Sequence, residues 1–449
     1  MEEKRSNLII GPDDKIGNVE AGLLGLQHVL AMDVYVPPVI LAMMLAMSVG
    51  DKMGLLQVTF LAAGIGTIIQ TAIFMKMPVS QGPSFVPLTA AAGVVLANGG
   101  VKNGMATLLG ALVVGAILLM LLGVSGAFYK IINTLVPAIV GGTIITCVGL
   151  SLIPTALNSN IFQAAGNINQ NMILAGITAL TLLVSISISI HFPKLQRIFR
   201  TGAIIIALLV GTVVATMMGR FDWNTVGNAA WFSLPQGTAL HYGISFSPSA
   251  ILTFIIIYAI LTTETTGTWF AMGAVTNHQI TNKQWNRGII GEGVSCLIAA
   301  LLGTTPVTGY STNAGIISIT GIASKRVFIS AGIWFILLGF FTKISAFLSA
   351  IPAPVIGGVF AIICVTIMLN GLRVIRNLKE SESDIYVIGV PIILTLALVL
   401  IPAAVVKEAP QMLQYLLGSP IAAAAVAAII LNLVMTKRER KQELNTEKI

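Results

Sequence analysis

Apolar runs of about twenty residues recur along nearly the whole chain, parted by short stretches rich in charge, proline and glycine. A helix needs about 20 apolar residues to cross a hydrocarbon core roughly 30 Å thick. Reading the runs this way predicts an all-α polytopic membrane protein with fourteen crossings. They lie near residues 19–46, 55–74, 81–97, 104–124, 132–153, 172–190, 202–219, 249–273, 287–303, 309–321, 327–348, 353–371, 385–403 and 411–435. The third and tenth are short and irregular. Segment three opens Gln81-Gly82-Pro83-Ser84-Phe85-Val86-Pro87, and the approach to segment ten reads Thr304-Thr305-Pro306-Val307-Thr308-Gly309-Tyr310-Ser311-Thr312-Asn313-Ala314-Gly315. Proline removes a backbone donor and Ser, Thr and Asn compete for local backbone groups, so neither stretch reads as an unbroken helix.

Composition supports the membrane reading. Only 9% of residues are charged and 56% are hydrophobic, with mean hydropathy +0.92. A soluble domain is about 25% charged, too many for this chain to match. The net charge of +8 does not point to nucleic acid, because the basic residues flank apolar runs and form no face with interleaved aromatics. They read instead as orientation signals. With the N-terminus in the cytoplasm and every Lys and Arg placed in a loop, all but Lys52, Lys102, Arg220, Lys343 and Lys407 fall inside. Both termini are then cytoplasmic. Cys147, Cys296 and Cys364 lie in apolar runs without ligand spacing and read as packing residues. No nucleophile–base pair, P-loop or dinucleotide fingerprint appears, so no catalytic residue, metal site or cofactor is expected. No loop is long enough for a nucleotide-hydrolysing domain, which leaves gradient-driven carriage or a channel.

The chain also repeats itself. Pro137-Ala138-Ile139-Val140-Gly141-Gly142 in segment five resembles Ala353-Pro354-Val355-Ile356-Gly357-Gly358 in segment twelve, with the glycine pairs 216 residues apart. The irregular segments three and ten share that offset of seven crossings. Seven is odd, so two such halves face opposite ways, the inverted-repeat plan of secondary transporters. Non-helical backbone at membrane depth survives only where protein or a cavity satisfies it, which marks segments three and ten as the candidate binding region. A kinked helix is the structural alternative.

Ionisable residues inside the crossings are few: His28 and Asp33 in segment one, Glu264 in segment eight and Glu292 in segment nine. A carboxyl at the bilayer centre costs about 2.5–3.5 kcal/mol on insertion scales, so each is a functional candidate. Glu264 sits in Thr262-Thr263-Glu264-Thr265-Thr266-Gly267-Thr268, a polar and closely packed face suited to accepting ligand hydrogen bonds or exchanging a proton. A buried, permanently protonated acid is the alternative. Glu292, between Gly291 and Gly293, reads equally as a proton relay or as a group near the cytoplasmic interface. His28 and Asp33 are five residues apart, about 140° around a continuous helix, and so point apart. Asp33 precedes Pro37-Pro38 and reads as a capping or a titrating acid.

These residues resemble the nucleobase–ascorbate transporter family of nucleobase:cation symporters. The family signature is Gln/Glu/Pro-Asn-x-Gly-x-x-x-x-Thr, then Arg, Lys or Gly. Thr312-Asn313-Ala314-Gly315-Ile316-Ile317-Ser318-Ile319-Thr320-Gly321 is similar to it at every defined position but the first. Gly25-Leu26-Gln27-His28, Gln81-Gly82-Pro83-Ser84-Phe85 and the Glu264 stretch fit as well. The resemblance implies a 7+7 inverted repeat with a core of residues 19–124 and 249–348 and a gate of residues 132–219 and 353–435. Residues 1–18 and 436–449 would be cytoplasmic. It also implies a homodimer in the cytoplasmic membrane, and proton-coupled carriage of a base such as xanthine, uric acid or uracil, with sodium as the other coupling ion. The base would lie between short antiparallel strands of segments three and ten. Glu264, Ser84, Phe85, Thr312, Asn313 and Gly315 would bind it, and Glu264, Glu292, His28 and Asp33 would serve proton coupling or support the site. Two departures stand out: Thr312 where members carry Gln, Glu or Pro, and Asp33 where they carry a neutral residue. The small Thr312 leaves room for a second ring and favours a purine. The competing expectations are a pyrimidine permease and an anion transporter of the related sulfate-transporter fold.

Overall fold

The computed structural model describes residues 8–128, 136–235, 239–310, 313–314, 316–317, 321–376, 382–402, 405, 417 and 419–446. It is mainly helical. The first half comprises α1 (Asn18–Ala31), α2 (Val36–Met44), α3 (Val49–Ile68), β1 (Gln81–Pro83), α4 (Leu88–Ala97), α5 (Val101–Val124), α6 (Ala138–Pro154), α7 (Ile168–His191) and α8 (Gln196–Met217). Two short helices, α9 (Trp223–Asn228) and α10 (Ala239–Tyr242), lead to the second half. There follow α11 (Pro248–Thr276), α12 (Asn282–Leu302), β2 (Val307–Gly309), α13 (Lys325–Phe340), α14 (Thr342–Ala350), α15 (Ala353–Arg376), α16 (Glu382–Leu400) and α17 (Pro420–Thr446). π-helical turns continue α3 over Ile69–Phe74 and α6 over Thr155–Phe162. Among the described residues, eight helical stretches are long and apolar enough to cross a membrane.

Local chemistry sets the helix ends. α11 begins with Pro248, whose missing N–H costs nothing in the first turn, and stops at Asn277 in the left-handed region (φ +54°). α12 opens on a capping box, Thr281 and Gln284 bonding each other's backbone N–H, and closes on Gly303 at φ +89°. Helices often outrun the apolar runs. Lys52, Lys102, Lys283, Arg287, Lys325, Lys343 and Arg373 lie within helices, not in loops as expected, because caps rather than hydropathy end a helix.

The first crossing is not one helix. It breaks over residues 32–35 between α1 and α2. Pro37 in a continuous helix would clash with the carbonyl four residues back, that of Asp33, and has no N–H to give it. Segments three and ten each begin as a strand. β1 and β2 pair antiparallel in the register Gln81↔Gly309, Gly82↔Thr308, Pro83↔Val307. The ladder is extended by Ser84 N–H to Pro306 O (3.3 Å) and Tyr310 N–H to Ser80 O (3.0 Å). Pro83 falls between those bonded pairs, where a missing N–H leaves no carbonyl of the partner strand wanting.

α12 packs on α5, α13 on α3 and α1, α15 on α6, α7 on α8 and α16 on α17. Side chains such as Leu180, Val213, Ile393 and Leu400 stay exposed on the outer faces, as lipid contact requires. Both repeated glycine pairs sit at close helix contacts. A Cβ on Gly142 would come 3.0 Å from Gly371 O, and one on Gly358 only 2.3 Å from Ala175 O. Backbone cannot step aside as a side chain can. Gly358→Leu is expected to cost about 1–3 kcal/mol by overpacking and to lower the thermal midpoint of the detergent-solubilised protein. Gly176, which has open space beyond its Cα, should accept Leu with no shift. Equal midpoints for the two variants would contradict this packing.

Candidate substrate-binding site

The two strands lie against the middle of α11. Thr268 Oγ1 donates to Gly309 O (3.0 Å), and Gly309 N–H donates to Thr265 Oγ1 (3.2 Å). Gly309 alternates out of the ladder's bonding pattern, so its amide and carbonyl are free for the helix. This double link fixes β2 beside Glu264. On the other flank Gln81 N–H donates to Thr67 Oγ1 of α3 (2.9 Å). A Cβ on Gly66 would come 3.2 Å from the Gln81 and Ser295 side chains, so α3 and α12 hold the strands closely from behind.

Glu264 is half-buried and aims at the ladder, where Ser84 Oγ donates to its Oε2 (2.6 Å). The Thr308 side chain on the opposite strand also meets this carboxyl. Phe85, next along, is half-buried, and its ring stacks on Phe360 of α15 with centroids 6.1 Å apart and planes at 17°. Glu264, Ser84 and Phe85 thus meet at one place, where the strands face α15.

Behind that place lies a second polar layer. Glu292 is fully buried on α12, bonded by the Thr265 hydroxyl, and ten residues from the helix start. Asn313 is also fully buried: its Nδ2 donates to Ser80 Oγ and approaches Met32 Sδ (3.1 Å), and its Oδ1 lies 2.9 Å from His28 Nδ1. An amide oxygen only accepts, so this contact puts the proton on Nδ1. The His28 ring also packs on Phe328 of α13 (4.7 Å). Asp33 is half-buried in the break between α1 and α2, beside the Tyr310 hydroxyl. The 140° separation expected of His28 and Asp33 does not apply, because the helix breaks after α1, and His28 faces Asn313 while Asp33 faces Tyr310. Thr312 and Gly315 lie outside the described residues.

Several residues that position the site were not singled out from the sequence: Ser80, Thr265, Thr268, Thr308, Tyr310 and Phe360. The spacing of Thr265 and Thr268 beside Glu264 was the available signal. Phe360 lies in an ordinary apolar run and gave none.

Residues 20–404 match the Permease family (Xan_ur_permease). The chain belongs to that family. The permease is 26% identical over 432 residues to the xanthine permease of Bacillus subtilis (strain 168), covering 94% of this chain and 95% of that protein. It is 26% identical over 436 residues to the uric acid permease PucJ of the same organism, covering 93% of each. In fold it is similar to the transmembrane domain of a cyanobacterium bicarbonate transporter, BicA. That likeness has a TM-score of 0.58 at 14% identity, over 94% of this chain and 99% of that one. At such low identity the likeness concerns the fold alone.

Proposed function

We propose that this permease is a proton-coupled symporter of a nucleobase, a purine such as xanthine or uric acid, in the cytoplasmic membrane. The observation that carries the reading is the meeting of Glu264, Ser84 and Phe85 on the paired strands. A planar base offers N–H donors at its edge and a π-face above it. Glu264 accepts from the edge, the backbone around Phe85 completes the in-plane contacts, and the Phe85 ring takes the face. A carboxyl at membrane depth also exchanges a proton when its surroundings change between outward and inward states. Thr265 and Glu292 sit directly behind it as a relay, and His28 and Asn313 hold the start of segment ten. An unneutralised carboxyl here disfavours an anion as cargo. Relatives that carry xanthine and uric acid over matching lengths support a purine.

The fourteen-crossing layout belongs to this reading, with cytoplasmic termini and a 7+7 repeat. Packing of α5, α12, α3, α13 and α1 among themselves supports a core, and packing of α6 with α15 and of α16 with α17 supports a gate. Phe85 on the core side meets Phe360 on the gate side, so rigid movement of one body against the other would open the site alternately. Two copies forming a dimer complete the proposal.

The test is uptake of labelled xanthine, uric acid, uracil and sulfate by cells expressing the chain. Accumulation of a purine that collapses with a protonophore supports the reading, and accumulation that follows sodium replaces the coupling ion. Sulfate uptake without base uptake would overturn it. Thr312→Gln should move competition toward xanthine-like bases, and an unchanged profile would remove position 312 from substrate choice.

A further inference from the structure

The ladder presents more polar chemistry than Glu264 alone uses. Side chains alternate along a strand, so Gly82 and Ser84 share one face of the ladder with Thr308 and Tyr310, given the pairing of Gly82 with Thr308. At one end of that face Ser84 and Thr308 meet Glu264. At the other end the Tyr310 ring packs against Gly82, where an added Cβ would stand 2.6 Å from the ring and 3.3 Å from Val34. Only glycine admits the ring there. The ring's hydroxyl thereby lies near Asp33, half-buried in the break between α1 and α2. One face therefore carries a carboxyl at each end, with a row of hydroxyls between them. Thr308 and Tyr310 are two residues apart along the strand, about 7 Å, a length that matches a fused two-ring base better than a single ring.

Among the described residues the ion pair formed is Lys325 with Asp13, remote from this face, so neither carboxyl is neutralised by lysine or arginine. A carboxylate has about four acceptor sites, and those of Asp33 turned away from Tyr310 suit N–H donors of a ligand.

We propose that Asp33, beside the Tyr310 hydroxyl, is a second ligand-binding acid of this site and selects cargo with hydrogen-bond donors at both ends, a two-ring base over a one-ring base. The proposal rests on the nucleobase reading above. Its test uses Asp33→Ala, Asp33→Asn and Tyr310→Phe in the full chain, with membrane insertion checked and the KM and maximum rate of labelled xanthine measured. Competition by unlabelled uric acid and uracil completes it. Loss of a hydrogen bond to a charged group should raise KM for xanthine by about tenfold or more in Asp33→Ala at an unchanged maximum rate. Competition by uric acid should weaken in parallel, competition by uracil should stay as it was, and Tyr310→Phe should shift the same way by less. Equal weakening of every base, or a fall in maximum rate at constant KM, would assign Asp33 a structural role and overturn the proposal. Base uptake by the unsubstituted chain with an unchanged Asp33→Ala profile would overturn it alone. Uptake of no base by the inserted, unsubstituted chain would overturn the nucleobase reading as well.

Discussion

Replacing Glu264 with Gln is expected to cut coupled uptake about a hundredfold, the scale set by losing a charge-assisted hydrogen bond to the ligand. Gln keeps the size of the side chain and its one acceptor oxygen. It removes the proton-exchanging group, and it turns an NH2 donor toward the Ser84 hydroxyl or the base. The fold should survive, because β2 is tied to α11 by Thr265 and Thr268 and not by Glu264 itself. The check is uptake normalised to inserted protein, together with counterflow, in which a preloaded base exchanges for external base without net proton movement. Residual exchange with no accumulation would assign Glu264 to coupling, and loss of both would assign it to binding as well. Normal accumulation would remove Glu264 from the site.

The second large effect is expected at Asn313. Its side chain joins three elements, with Ser80 before β1, His28 on α1 and the chain after β2. Asn313→Ala deletes an acceptor and a donor at a fully buried position. Each deleted partner costs about 1–3 kcal/mol, because a polar group left in a dry interior keeps its desolvation penalty. The thermal midpoint should fall, and uptake should fall about tenfold or more as the strands lose their register. A double-mutant cycle with His28→Ala separates this from general damage. Direct contact predicts a coupling of about 0.5–3 kcal/mol, whereas additive losses would mean that the two residues act apart.

The apolar helical character of the chain and the irregular start of segments three and ten could be read from the sequence because hydropathy and proline act locally. Pro83 and Pro87 forbid an unbroken helix whatever surrounds them, and Thr304–Gly309 offers little helix propensity. The break at residues 32–35 was half legible. Pro37-Pro38 marks a disturbance there, but hydropathy carries a helix through it, since a kinked helix and a broken one share the same hydropathy. That error also set His28 and Asp33 apart when both turn toward segment ten. Pairings that depend on distant chain were invisible. Thr265 to Glu292 spans 27 residues, Ser84 to Glu264 spans 180 and His28 to Asn313 spans 285. A threonine in an apolar helix usually bonds its own helix carbonyl, as Thr262 and Thr266 do, so only their spacing beside Glu264 set Thr265 and Thr268 apart. Phe360 is a phenylalanine among apolar residues, so only its stacking on Phe85 reveals it.

The most direct measurement is uptake of labelled xanthine and uric acid into proteoliposomes holding the purified chain, under an imposed inward proton gradient and no sodium. The account predicts accumulation above equilibrium that vanishes when the gradient is dissipated and is absent in Glu264→Gln vesicles. Equilibration that ignores the gradient, or equal accumulation by the Glu264→Gln protein, would contradict it.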